Sequence, residues 1–288
     1  MRLLSHQPGR EAEFDRGIDS PDYVAPTPRG LGAAAGRLLA TDLLDVRNRD
    51  AFLANPTACA ANIPLSELPQ CPFELPPPGG VVRIADTGAE AHEALVVLQN
   101  SSRSASLVPT VAGRPTGGDR FRLWGVSSHL SEGEAAAPAR ALCLACGTGR
   151  EAVVLAAAGW EVTAIDMLAD AIERGKLLEQ RYVPPGKAPI RWLPADLRKT
   201  LPDEIGEFEL ISQFFFADRS TPDRVARHLA CGGVALLEAF SEEHWRERGR
   251  PSASRVLRSD TWPAEFSVRF AEGYHEGRHT TRMKVQRP

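Results

Sequence analysis

An unbroken apolar run from Ala141 to Cys146, turning at once into Gly147-Thr148-Gly149, limits what this chain can fold into more than any other feature. A run that short and continuous reads as a strand buried on both faces, as strands of parallel sheets are. A strand turning directly into a helix needs residues that tolerate unusual backbone angles, which glycine does without steric cost. Glu151 to Ala158 then reads as a helix, Gly159 ends it, and Glu161 to Ile165 reads as the next strand. Residues 141–165 are therefore a βαβ unit, and strands alternating with helices imply an α/β fold with a mostly parallel, Rossmann-like sheet. Further strands are expected over Pro189–Pro194, Phe208–Gln213 and Val234–Phe240. A helix over Val225–Leu229 and a turn at Cys231-Gly232-Gly233 come before the last of these.

The 288 residues suffice for two domains, each with its own core. Composition divides them into an irregular arm (1–37), a first α/β unit (38–112), a Gly/Pro/Ser/Ala-rich linker (113–138) and a second α/β unit (139–288). Within the linker, Phe121-Arg122-Leu123-Trp124 is too apolar to be free chain. A net charge of −3 provides no global basic field, so no nucleic-acid partner is expected. No apolar run reaches membrane-spanning length, and no membrane partner is expected. Met1 to Ser5 is too short and weakly apolar for a signal peptide, and Glu11, Glu13 and Asp15 argue against a mitochondrial presequence. Five irregularly spaced cysteines fit a reduced compartment, so a cytoplasmic location is expected.

The exposed N–H groups of a glycine bend at a helix start suit a carboxylate or phosphate. Asp166, 19 positions after Gly147, ends the next strand, where it can accept hydrogen bonds from both ribose hydroxyls of an adenosyl group. Gly147, Gly149 and Ala152 also satisfy G-x-G-x-x-G/A, so bend and acid alone leave S-adenosylmethionine and a nicotinamide dinucleotide both open. Ala195-Asp196-Leu197 after the third strand favours the former: an acid there can accept from an adenine amino group while a leucine packs on the ring.

The ordered set over 139–240 resembles a class I S-adenosylmethionine-dependent methyltransferase. It is most similar to the branch containing the tellurite-resistance methyltransferases. The likeness extends through Arg250-Pro251, Leu257-Arg258 and Phe270-Ala271-Glu272-Gly273, which follow that branch's last helix and antiparallel strand pair. The resemblance implies S-adenosylmethionine as cofactor. It implies a cofactor site of Cys143, Ala145, Gly147, Gly149, Asp166, Met167, Asp196, Leu197 and Gln213, and a small-molecule acceptor with a soft nucleophile, a thiol or chalcogen. The family often has an acid where Cys143 stands, helping to hold the cofactor through its ammonium group or water, and a glycine where Ala145 stands. Losing that acid costs about 1–3 kcal/mol of binding if a charge-assisted bond goes with it. Alanine for glycine is expected to be mild because alanine has little bulk. Methyl transfer needs positioning more than acid–base chemistry, and no catalytic base is assigned.

Gln213, Phe214 and Phe215 follow the fourth strand at the carboxyl edge, where ligands of open α/β sheets sit. Both phenylalanines are candidates for the acceptor pocket, with core packing the alternative. Arg122-Leu123-Trp124 resembles a segment of rhodanese–methyltransferase fusions, so Trp124 is a candidate cap on the cleft, with a linker anchor the alternative. The missing Asn-Pro-Pro-Tyr-type motif after the fourth strand speaks against methylation of nucleobase amines.

Leu43-Leu44-Asp45-Val46-Arg47, followed by Asn62-Ile63-Pro64-Leu65-Ser66-Glu67-Leu68, resembles the opening of a rhodanese-like domain, with Val81 to Ala85 as its central strand. The family places its persulfide cysteine three positions before a glycine. Aligned on Gly88, that position is Ala85, and Asp86 and Glu90 put negative charge where the family has a cationic loop. The resemblance thus implies a unit without sulfur transfer, left to bind a protein partner, cover the cleft or stabilise the fold. Cys143 and Cys146 have C-x-x-C spacing but fall in a strand and its turn, so a structural role is expected, and no metal site is expected from the histidines. Besides a methyltransferase, a non-enzymatic scaffold and a nicotinamide-dependent oxidoreductase remain as readings.

Overall fold

The computed structural model describes residues 37–288 except 114–119, 133–138, 200, 202, 251–254, 259–260 and 276. The expected arm over 1–37 lies outside the described residues apart from Arg37, as do much of the expected linker and Pro251.

The first unit contains β1 (Leu38–Ala40), β2 (Leu43–Asp45), α1 (Arg49–Ala54), β3 (Ala61–Asn62), β4 (Val81–Ala85), α2 (Ala89–Asn100) and β5 (Ser104–Val108). Four of these strands form a parallel sheet in the order β3-β2-β4-β5. Leu44, Ile63, Val82 and Ile84 bury their side chains against Ala91, Ala94 and Leu98 of α2. The helical spacing of those three residues is that of an apolar stripe turned to a core.

The expected linker is not a plain connector. It contributes β6 (Arg120–Arg122), which pairs in parallel with β1, and the fully buried Trp124. Leu38 and Trp124 join the core of the second unit, while Leu123 joins that of the first. Apolar side chains thus fasten this segment to both units, as the Phe121–Trp124 run anticipates.

The second unit contains β7 (Arg140–Leu144), α3 (Arg150–Ala158), β8 (Glu161–Asp166), α4 (Ala169–Tyr182), β9 (Arg191–Pro194), β10 (Phe208–Phe214), α5 (Thr221–His228), β11 (Leu229–Phe240), α6 (Glu242–Arg248), β12 (Ser267–His275) and β13 (Arg278–Gln286). Its seven-stranded sheet runs β12-β13-β11-β10-β7-β8-β9. β13 is antiparallel to both of its neighbours, and the other pairings are parallel. From β7 the chain builds outward through β8 and β9, then returns to β10 on the other side. That reversal opens a crevice at the carboxyl ends of β7 and β10, where open α/β sheets bind ligands.

The alternation of β7 shows why it is central. Ala141 and Cys143 enter the cluster shared with α3 and α4, whereas Leu142 and Leu144 enter the cluster on the opposite face. The expected turn at Cys231–Gly233 is instead absorbed into β11 as an irregularity, where the register against β10 shifts between Phe208 and Leu210. Gly232 takes a φ of +75°, and a side chain on Gly233 would lie 2.8 Å from Ala230 O. Backbone hydrogen bonds with Arg287 hold both glycines in the sheet.

The two units meet through buried polar groups. Glu74, with no exposed surface, accepts hydrogen bonds from Tyr182 Oη at 2.7 Å and Arg181 Nε at 3.1 Å, and Arg181 also pairs with Glu67. Arg150 Nη2 donates to Phe73 O at 2.7 Å. No helix among the described residues is long and apolar enough to cross a membrane.

Candidate active site

The bend after β7 is built from left-handed residues: Ala145 at φ +50°, Gly147 at +53° and Gly149 at +69°. Cys146 N donates to Ile165 O at 3.0 Å and Gly149 N to Cys146 O at 2.8 Å, so the bend is pinned to β8. Ala145 is not the mild change that its small volume suggested. A left-handed L-residue costs about 1–2 kcal/mol, a backbone penalty independent of bulk.

The glycines serve different ends. A side chain on Gly147 would meet nothing within 4 Å, so this part of the bend is open to a ligand. A Cβ on Gly149 would lie 2.3 Å from Trp192 Cη2, and one on Gly175 2.5 Å from the same atom. The space at Gly149 therefore receives the protein's own indole, whose Nε1 is fixed by Glu179 Oε2 at 2.7 Å.

Asp166 ends β8 at the bend. Its Oδ2 accepts from Gly147 N at 2.7 Å and its Oδ1 from Leu168 N at 2.9 Å. A carboxylate has about four acceptor positions, so two backbone bonds orient it and leave capacity for ligand hydroxyls. Met167, beside it, is 54% exposed at the carboxyl edge. Asp196 is gripped by Arg198, whose Nε and Nη2 both reach it at 2.8 Å, and hydrogen bonds from that side chain and its backbone pull the carboxyl down to about 2.

Three expected cofactor residues turn elsewhere. Leu197 is buried in the core cluster of the opposite sheet face. The Gln213 amide donates to Phe216 O at 2.8 Å and Thr221 Oγ1 at 3.2 Å, which closes the turn into α5. Cys143 is buried, and desolvation pushes its thiol up to about 12. Desolvation also raises the Cys146 thiol, so both stay protonated at neutral pH.

Of the expected pocket residues, Trp124 has no exposed surface and packs edge-on against Tyr182 at 5.6 Å, so it anchors the segment rather than capping the cleft. Phe214 is half-buried and packs edge-on against His129. Phe215 is 38% exposed at φ +58°, rests on Phe240 at 5.7 Å and carries the Arg278 guanidinium 5.1 Å from its centroid. Left-handed strain on a bulky residue at a sheet's ligand edge is a mark of functional sites.

Sequence reasoning missed Ser127 and the two acids that it joins. Ser127 N donates to Glu151 Oε1 at 3.3 Å, and Ser127 Oγ donates to Glu238 Oε2 at 2.5 Å. Glu238 is buried near the end of β11 and also accepts from Thr280 Oγ1 at 2.9 Å. The strap carrying Ser127 thus ties the head of α3 to the end of β11. An acid inside the otherwise apolar run Val234–Phe240 is the sequence signal that marks Glu238.

Residues 141–233, from β7 into β11, match the family model of a methyltransferase domain. This chain carries a methyltransferase domain. The methyl donor of that family is S-adenosylmethionine. The matched span includes the bend, Asp166, Asp196 and Gln213. Among solved structures, the chain is similar to the N-methyltransferase NodS from Bradyrhizobium japonicum WM9, at 20% identity and a TM-score of 0.42, over 56% of this chain and 90% of that one. It is also similar to magnesium protoporphyrin IX methyltransferase (ChlM) from Synechocystis PCC 6803 with bound SAH, at 13% identity and a TM-score of 0.40, over 51% and 74% of the two chains. No curated protein matches the chain by sequence.

Proposed function

We propose that the chain transfers the methyl group of S-adenosylmethionine to a small-molecule acceptor bearing a soft nucleophile, a thiol or chalcogen. The observation that carries this reading is Asp166, oriented by Gly147 N at the end of β8, between an open glycine and an exposed methionine. Asp166 holds the ribose hydroxyls through its remaining acceptor positions. Met167 flanks the adenine, and Asp196 accepts from the adenine amino group once Arg198 shares it. The sulfonium supplies an electrophilic methyl carbon, so the chain's own contribution is to hold the acceptor in line and exclude water. Phe214 and Phe215 line the acceptor side. The acceptor class rests on the likeness of 139–288 to the tellurite-resistance branch.

We further propose that residues 38–112 are a rhodanese-like unit without sulfur transfer. Ala85 is the last residue of β4, and Asp86-Thr87-Gly88 turns directly into α2, so the nucleophile position carries a methyl group. The Cys71 thiol lies in another segment, beside Glu74 and Arg181, and is pushed up to about 12 by burial and by Glu74, which leaves it unreactive.

Isothermal titration of the full chain against S-adenosylhomocysteine and, separately, NADH tests the first reading. Micromolar binding of the former alone is expected. Binding of NADH alone, or of neither to folded protein, overturns it. Formation of S-adenosylhomocysteine and the methylated acceptor from S-adenosylmethionine and small thiols or selenide then tests the acceptor class.

A further inference from the structure

Glu151 lies in the first turn of α3, two residues beyond Gly149, where the helix dipole favours negative charge. The Ser127 strap closes over it, with Ser127 N on its Oε1. Glu151 follows Gly149 of the bend with one residue between, so its carboxyl group stands at the helix end that leads out of the bend. Burial raises its proton affinity, while the fields of Arg150 and Arg122 oppose that rise. A carboxyl group held in such a place at the cost of desolvation has a natural complement in a cationic ligand group. Across the bend, Cys143 is buried and protonated and offers no charge. The carboxyl group at this end of the βα unit therefore sits on the helix rather than on the strand.

We propose that Glu151 is the carboxylate that receives the α-ammonium of the methionyl part of S-adenosylmethionine. This rests on the methyl-donor reading above. It makes Glu151 a binding residue that compensates for Cys143, and the strap a device that orients it.

The test compares two ligands by isothermal titration: S-adenosylhomocysteine and its analogue lacking the α-amino group. Glu151→Gln is expected to weaken S-adenosylhomocysteine by about 10- to 100-fold, the size of a lost charge-assisted hydrogen bond. Binding of the deaminated analogue should stay within about twofold, and adding Cys143→Asp to the variant should recover S-adenosylhomocysteine binding. Unchanged affinity for S-adenosylhomocysteine overturns the proposal, as does an equal loss for both ligands, which would mean a structural role. If Glu151→Gln does not fold, a crystal of wild-type protein with S-adenosylhomocysteine decides. A ligand ammonium within hydrogen-bond distance of a Glu151 carboxylate oxygen supports the assignment, and an ammonium bound elsewhere overturns it. Wild-type protein that binds neither ligand overturns the methyl-donor reading itself, a result distinct from binding that ignores Glu151.

Discussion

Each of the two larger sheets ends a parallel strand in a buried aspartate, Asp45 on β2 and Asp166 on β8, and the two are used in opposite ways. Asp45 has no exposed surface and its carboxylate is fully engaged. Arg47 grips it through backbone N, Nε and Nη2, and Thr57 Oγ1 donates at 2.5 Å. Asp166 accepts from two backbone N–H groups, those of Gly147 and Leu168, with an open glycine in front of it. A carboxylate surrounded by its own counter-ion is part of the scaffold. A carboxylate aimed by the backbone, with acceptor positions to spare, is ready for a ligand. The turns beside them differ in the same sense: Gly88 leads α2 out of a loop with no nucleophile, whereas Gly147 leads toward α3 beside an acid that holds it.

Removing each aspartate should separate the roles. Asp45→Ala strips a buried ion pair of one partner and should lower unfolding stability by about 3–5 kcal/mol in a denaturant titration, with S-adenosylhomocysteine affinity per folded molecule unchanged. The Asp45 contribution also has a pH signature. Burial raises this carboxyl, but the bonds from Arg47 and Thr57 outweigh it and leave the folded value below the ordinary 3.8. The stabilisation is therefore complete above about pH 4 and lost as pH falls through the folded value. An Asp45→Asn variant should lack that acid limb.

Gly149→Ala places a methyl into the Trp192 ring and strains a left-handed residue, a loss of about 3 kcal/mol in the same titration. Gly88→Ala meets no neighbour, and its φ of +114° and ψ of −150° lie in a region essentially reserved for glycine, so it should lose only a backbone share of about 1–3 kcal/mol. Equal losses would mean that Trp192 yields freely. Asp166→Ala should weaken S-adenosylhomocysteine about 100-fold, while costing about 1–2 kcal/mol of stability for its two backbone bonds. An Asp166 that behaved like Asp45, with a large stability loss and unaltered binding, would erase the contrast. The smallest effect runs the other way: Ala145→Gly should stabilise the fold by about 1 kcal/mol by relieving a left-handed alanine.

Much of this was legible in the sequence where periodicity and spacing carry the information. The β7 run is apolar on both faces because both faces are buried, and Asp166 stands at the end of the next strand, where its spacing from the bend put it. What escaped was the direction in which individual side chains turn. Gln213 and Leu197 stand at the expected strand ends, but the amide is taken by Phe216 O and Thr221, and the leucine by the core. Trp192 fills a notch made by Gly149 and Gly175, a three-way contact between distant segments that no local pattern shows. Trp124 was singled out correctly as more than linker, yet a buried anchor and a cleft cap have the same residue type, and packing on Tyr182 decided between them.

A crystal structure of the full chain with S-adenosylhomocysteine is the most direct test of the central claim. The account predicts both ribose hydroxyls on the Asp166 carboxylate, with the adenine beside Met167 and the methionyl group over Gly147. A ligand seated elsewhere, with Asp166 still bonded only to its own backbone, would contradict it.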